Sequence, residues 1–380
     1  MTGPRGRVSA LVSELETWKA QSAGMREESE APAGLLRRRA VMLGAALLAV
    51  AGGAGLWLVL RPAPAPVAVL RELNGFAVAD ADGHVLWRKA LPAAASPEVY
   101  REFETTGRRS AWIGDLRGER SPQVLVVLRA PPNVEQQGVL VCYSAQGREL
   151  WRFTPGRPVR TRSAEYSPVF NIHTVAVSPP GKDGGRRIAV AAFHNPYWPA
   201  QVAVLSAEGK LLGEYWHAGH LHQAEFADLD RDGRPELYVG GVSNSQRCAT
   251  LIALDPENLR GASKEENPDY QLLDLPPAQE RARLLFPRTP VSLRYADFCG
   301  AQILVPEPEG LRVHVREPVH DSIVVYYLDR QLHLRRLDPA SGTVVLHQMK
   351  GRSRGRWTAR RWPSWRRFDT CASPKFQAGS

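Results

Sequence analysis

Acidic residues at alternate positions are the first feature that could do chemistry. The run Phe226-Ala-Asp228-Leu-Asp230-Arg-Asp232-Gly233-Arg234-Pro235-Glu236 sets three aspartates two apart, then a glycine, then a glutamate ahead of an apolar segment. In a curled loop, residues two apart converge on one point, and that many carboxylates repel unless a cation or solvent offsets them. A hard cation with oxygen ligands suits the set, Ca²⁺ ahead of Mg²⁺. The expected ligands are the side chains of Asp228, Asp230, Asp232 and Glu236 and the backbone carbonyl of Arg234. Gly233 sits where a sharp turn wants positive φ. The alternative is a solvated acidic turn that keeps the loop shape without metal.

Histidines come next. His217-Ala-Gly-His220-Leu-His222 precedes the acidic run by six residues. On a strand, His220 and His222 share a face, and neutral imidazoles suit a transition ion. No acidic or cysteine partner is adjacent in sequence, so ordinary surface histidines are the competing reading. Asn171-Ile-His173 and Phe193-His-Asn-Pro-Tyr197-Trp198-Pro199 are rich in aromatic and polar groups. They suit a ligand or partner surface, or the packing of strand edges. No GxSxG, HExxH or P-loop pattern occurs. Cys142, Cys248, Cys299 and Cys371 have no CxxC spacing, which argues against a thiolate zinc site. They are either buried free thiols or, in an oxidising compartment, disulfides of undetermined pairing.

The elements that must position these residues are short β-type runs between turns, from residue 67 to 348. Two repeats interleave there. One is a hairpin. Gly75-Phe-Ala-Val-Ala-Asp-Ala-Asp-Gly83-His-Val-Leu-Trp87 recurs as Gly138-Val-Leu-Val-Cys-Tyr-Ser-Ala-Gln-Gly147-Arg-Glu-Leu-Trp151. A third copy runs from Gln201 through Gly209 to Trp216 with its aromatic slipped, and a weak one covers Val324–Leu332. The turn glycines Gly83, Gly147 and Gly209 are 64 and 62 residues apart. The second repeat is the acidic loop itself. Asp115-Leu-Arg117-Gly-Glu119-Arg-Ser-Pro-Gln123 aligns with Asp228–Glu236 but lacks the middle carboxylates, and Asp183-Gly184 keeps less still. A four-stranded unit repeated about an axis is a β-propeller; a sandwich pair or a β-solenoid are the alternatives. The fold class expected is therefore all-β, a propeller of roughly five to seven blades. One repeat marks inner strands and the other the outer hairpins.

The acidic run opens like an EF-hand loop, but its twelfth position is Val239 rather than a bidentate glutamate, which excludes the EF-hand. It resembles the calcium loops of FG-GAP/VCBS repeats, found in integrin-α-like propellers. That resemblance implies a calcium loop joining two strands of one blade. It rests on one full copy and two decayed ones within residues 67–260. The glycine-then-leucine-tryptophan hairpins are similar, less completely, to the repeats of quinoprotein (PQQ-like) propellers.

Ala40–Leu60 holds 21 residues without a charge, about the length that crosses the hydrocarbon of a bilayer. Arg37, Arg38 and Arg39 precede it and only Arg61 follows, so the positive-inside rule puts residues 1–36 in the cytoplasm and the rest outside. A cleaved signal peptide is the alternative, disfavoured by the long N-terminal region and by Pro66 after Ala63-Pro64-Ala65. Val8, Leu11, Val12, Leu15 and Trp18 form one apolar helical stripe in the N-terminal segment. Residues 61–66 make a Pro/Ala spacer, and 349–380 a basic, Arg/Trp-rich tail, read either as a disordered end or as a frameshifted terminus. The net charge of +10 lies in the ends: residues 350–380 hold nine Lys/Arg against Asp369. The central segment is neutral, so nucleic acid is not an expected partner. The composite expectation is a single-pass membrane protein with an extracytoplasmic binding or sensing module. Its partner would be a protein, peptide or glycan at the cell envelope. The alternative is an exported enzyme on the same scaffold, a quinoprotein-like dehydrogenase or a glycan-active lyase or hydrolase.

Overall fold

The computed structural model describes residues 12–24, 41–42, 44, 64–91, 97–105, 108–129, 137–194, 198–317 and 322–339. The chain divides into two units, Met1–Ala63 and Pro64–Ser380. In the first, α1 (Val12–Gly24) forms over part of the expected stripe, and Val12, Leu15 and Trp18 are exposed. Among the described residues no helix is long and apolar enough to cross a membrane. The expected span, 40–60, lies outside them except for Val41, Met42 and Gly44, and the basic tail lies wholly outside.

The second unit is a series of antiparallel sheets, each built from consecutive strands. The first has three strands, β1 (Ala68–Glu72), β2 (Gly75–Ala79) and β3 (Val85–Ala90). The next has four, β4 (Ala111–Gly114), β5 (Gln123–Leu128), β6 (Val139–Ser144) and β7 (Glu149–Phe153). A two-stranded ribbon, β8 (Val159–Arg160) and β9 (Glu165–Tyr166), follows. The third sheet is β10 (Phe170–Val177), β11 (Ile188–His194), β12 (Ala200–Leu205) and β13 (Leu211–His217). The fourth is β14 (Leu221–Ala227), β15 (Glu236–Ser243), β16 (Cys248–Leu254) and β17 (Glu280–Phe286). The fifth is β18 (Gly300–Glu307), β19 (Gly310–Glu317), β20 (Ser322–Asp329) and β21 (Leu334–Pro339). Two short helices, α2 (Pro97–Thr105) and α3 (Pro290–Tyr295), lie in connections between sheets.

Each sheet packs face to face on the next, as propeller blades do. The alternation of β5 shows how. Val124 and Val126 meet Phe76 and Val78 of the first sheet, while Leu125 and Val127 meet Ile172 and Ile188 of the third. A strand with both faces covered reads as a continuous apolar run, and β14, β15 and β16 are buried along their whole length. The fifth sheet is different. In β20, Val324, Tyr326 and Leu328 pack on the fourth sheet, while the alternate residues Ile323, Val325 and Tyr327 are half-exposed. Among the described residues, no core cluster joins the fifth sheet to the first. The first strands β10, β14 and β18 lie side by side as the inner strands.

The interleaved repeats fall where the periodicity predicts. The loop repeat joins first to second strand in the second, third and fourth sheets; the hairpin repeat forms the outer pair. Its turns share one device. Asp80, Ser144, Ser206 and Asp329 each accept backbone N–H groups two and four residues on. The positive-φ position is Gly83, Gly147, Gly209 or, in the weak copy, Leu332 at +62°. The tryptophans dock across blades: Trp87 Nε1 donates to Ala145 O at 2.9 Å, and Trp151 Nε1 to Ala207 O at 3.0 Å. Their indoles lie over Gly147 and Gly209, where a Cβ would come within 2.7 and 2.4 Å of the ring. The third copy has Gly213 at the tryptophan's place, facing Val204 in the ladder as Trp151 faces Cys142. The 255–279 connection fills that space: Glu214 N donates to Leu259 O, and Trp216 N to Gly261 O. The slipped aromatic is thus a substitution of backbone pairing for indole docking.

Candidate functional site

Antiparallel strands give the unit two ends. Inner strands begin at one and finish at the other. The acidic loop lies where β14 finishes, and its expected ligands are only partly brought together. Oxygens of Asp228, Asp230 and Glu236 lie within 4.8 Å of one another. Asp228 accepts the N–H groups of Asp232 at 3.1 Å and Gly233 at 3.0 Å. Asp232 accepts the Arg234 N–H at 2.7 Å and stands outside the set. Arg281 supplies a positive charge to the same carboxylates. Its guanidinium is bonded to Glu236 and lies 4.0 Å from Asp230 and 3.7 Å from Asp255. Burial, and then the Asp230 charge, raise the Glu236 carboxyl above its ordinary range, with Arg281 opposing them. In the decayed copy Asp115 alone caps the N–H groups of Arg117, Gly118, Glu119 and Arg120. Gly118 there packs against Gly184 of the neighbouring loop, 3.1 Å from where its Cβ would be.

The opposite end carries the buried polar groups. Inner strands β10, β14 and β18 each have a β-bulge near their start, between Ile172 and Thr174, Leu221 and Gln223, and Ala301 and Ile303. The extra residues are His173, His222 and Gln302. A bulge re-aims the side chain it extrudes, and the two histidines meet. With His220 they form one cluster in which one nitrogen of each ring lies within 4.8 Å of the others. His220 Nε2 is 3.1 Å from His173 Nδ1. The His220 and His222 rings stack at 4.6 Å, and His173 stands at 87° to His220. Phe193 stacks on His220 and closes one side. Both ring nitrogens of His222 are buried without a hydrogen-bond partner. Gly300 makes room for that ring, since a Cβ there would lie 2.9 Å from His222 Nε2.

The expected pairing of His220 with His222 therefore holds, whereas His217 leaves the group. It is buried beneath the next sheet, with Nε2 3.2 Å from Val242 O and Nδ1 3.4 Å from the Tyr215 hydroxyl. Burial keeps these rings neutral. It holds His173 and His222 well below the ordinary imidazole value and takes His220 to about 3, with Arg108 acting in the same direction on each. Burial also brings His217 to about 4, with Arg283 as the next contributor.

Below the histidines, other polar side chains bridge the inner strands. Arg109 pairs with Glu225 at 3.2 Å, and its N–H donates to Thr174 Oγ1 at 3.1 Å. Gln223 donates to Glu225 at 3.0 Å and accepts the Leu304 N–H at 3.2 Å. Burial pushes Arg129 down to about 9, with the neighbouring charges of Arg108 and Arg71 adding to the effect. His173, Arg109, Gln223 and Glu225 were not singled out together by the sequence, because their partners are 47 to 116 residues away for His173–His220 and Arg109–Glu225. The available signal is positional: His173, His222 and Gln302 occupy the same place in successive first strands. Cys142, Cys248 and Cys299 are buried free thiols, pushed up by burial to about 12, 11 and 12, which makes them unreactive.

No family model matches the chain, and no curated protein matches it. Solved structures give distant likenesses. A protein of unknown function from Bacteroides caccae is 11% identical over 73% of this chain and 74% of its own, with TM-score 0.33. The Dos1 propeller is 11% identical over 70% of this chain and 65% of its own, with TM-score 0.36. A eukaryotic initiation factor is 9% identical over 72% of this chain and 62% of its own, with TM-score 0.31. This chain thus matches under two thirds of the length of the latter two. Likeness at this level assigns neither function nor partner.

Proposed function

We propose that the chain is a membrane-anchored, extracytoplasmic binding module of the β-propeller type, whose ligand-facing end is the one where the inner strands begin. The observation that carries this reading is the convergence of buried polar side chains from two neighbouring inner strands, β10 and β14, on that end. Strand pairing does not need them, and burying them costs free energy unless partners compensate. The ligand is a protein, peptide or glycan at the envelope. The apolar segment 40–60 anchors the module and Pro/Ala residues 61–66 space it from the bilayer. A calcium ion at Asp228, Asp230, Asp232, Arg234 and Glu236 would pin the first two strands of the fourth sheet. Binding it requires the Arg281 guanidinium to move aside. The same polar convergence also serves a second reading, an exported enzyme on this scaffold, for which turnover of an envelope substrate is the discriminating observation.

Photocrosslinking in native membranes tests the proposal. A photoreactive residue at Trp198 or Arg247 reports on the polar end, and one at Lys210 or Arg231 on the acidic end. One discrete adduct from the first pair and none from the second is expected. Adducts from the acidic end alone, or from neither, overturn the reading.

A further inference from the structure

We propose that His173, His220 and His222 form a three-imidazole site for a divalent transition ion of the zinc class. This goes beyond the binding-module reading and stands without it.

Three observations converge. The nitrogens already have nearly the required spacing. Ligands about 2.05 Å from a tetrahedral ion lie roughly 3.3 Å apart, and His220 Nε2 is 3.1 Å from His173 Nδ1. The third ring needs a shift within the 4.8 Å that bounds the group. His222, only 9% exposed, has two buried ring nitrogens with no hydrogen bond. An unsatisfied buried polar group costs about 1–3 kcal/mol, and an ion would satisfy the lone-pair nitrogen of the neutral ring. Two bulges place the first and third ligands, and Gly300 leaves space that any side chain would fill.

The donor set selects the ion. Imidazole nitrogen without thiolate suits zinc, copper(II), nickel or cobalt, and does not suit calcium or magnesium. Three protein ligands leave a fourth position open, as in sites that bind water or an exogenous ligand. Positive charge from Arg108, Arg129 and Arg316 acts on these rings. The fourth ligand is therefore anionic: hydroxide, carboxylate or phosphate. The two other groups, Asp228–Asp230–Glu236 and Asp80–Asp82–His84, offer carboxylates with no imidazole or a single one, His84, and serve as internal controls.

The experiment uses the full-length chain, purified without a polyhistidine tag and stripped with chelator. Zinc is titrated calorimetrically, and cobalt(II) is followed by its visible absorption. One equivalent of zinc and a tetrahedral cobalt spectrum are expected, unaffected by excess calcium. His222→Ala should weaken zinc binding by about 100-fold, at or above what loss of an outer partner costs elsewhere, and abolish the cobalt bands. Asp82→Ala and His84→Ala should change neither. Unchanged zinc binding in folded His222→Ala, or loss of it in His84→Ala, overturns the site. If His222→Ala does not fold, copper(II) on the unaltered chain decides. Electron paramagnetic resonance with coupling to several imidazole nitrogens supports the site, and its absence overturns it.

Discussion

The two ends of the inner strands use polar residues in opposite ways. Where β14 finishes, Asp228, Asp230 and Asp232 are partly or fully exposed and take N–H groups from within their own loop. These N–H partners are two to five residues away. Where β14 begins, His222, Gln223 and Glu225 are buried, and their neighbours come from β10, from β18 and from the segment before β4. A solvated loop can satisfy its charges locally. A buried polar group must find its partner through the tertiary fold or leave a desolvation cost. Acidity therefore marks architecture in this molecule, and burial marks the end suited to chemistry.

Acid gives the largest test of that contrast. His173, His217, His220 and His222 have folded-state values well below 6.5, down to about 4 for His217 and about 3 for His220. The unfolded chain then binds protons that the folded chain refuses, so stability is full above about pH 6.5 and falls as pH drops towards 4. Each ring loses up to about 1.4 kcal/mol per pH unit below that point, so pH 5 should cost several kcal/mol. Urea unfolding across pH 7.5 to 5 measures it, and the fall should shrink in His173→Gln/His222→Gln. A flat profile would dissolve the contrast between the ends. Next in size is Trp151→Ala, expected to lose about 2–3 kcal/mol, less than the 3–5 of a fully buried aromatic. It removes the Ala207 bond and the cover over Gly209 while leaving the histidine cluster and the Asp228 loop untouched. Zinc titration of that variant should match the parent chain.

Calcium tests the acidic end. At about 100 times its dissociation constant an ion adds about 2.7 kcal/mol, and Asp230→Ala/Asp232→Ala should remove that gain. Equal calcium heats from parent and variant remove calcium from the loop. The smallest effect is expected from Arg281→Gln, roughly 1–2 kcal/mol without calcium, because Glu236 is left buried beside Asp230. The same change should tighten calcium by freeing the carboxylates. Loosening it instead would make Arg281 a partner of the ion rather than its rival.

Local signals in the sequence were enough for the strands, the turns and the repeat. Alternation in Val124–Val127, the turn residues Asp80, Ser144 and Ser206, and the glycines three positions after them all act over a few residues. Such features keep their meaning whichever sheets surround them. The Asp228 loop was legible for the same reason, although its meeting with Arg281 of β17 was not. Tertiary structure alone decided three matters. It brought His173 to His220 across 47 residues, it separated His217 from its neighbours by turning it beneath the fourth sheet, and it filled the place of the missing tryptophan at Gly213 with the backbone of 259–261. Each depends on which inner strands become neighbours and where their bulges fall. That outcome is set by the packing of whole sheets, and no short stretch of sequence contains it.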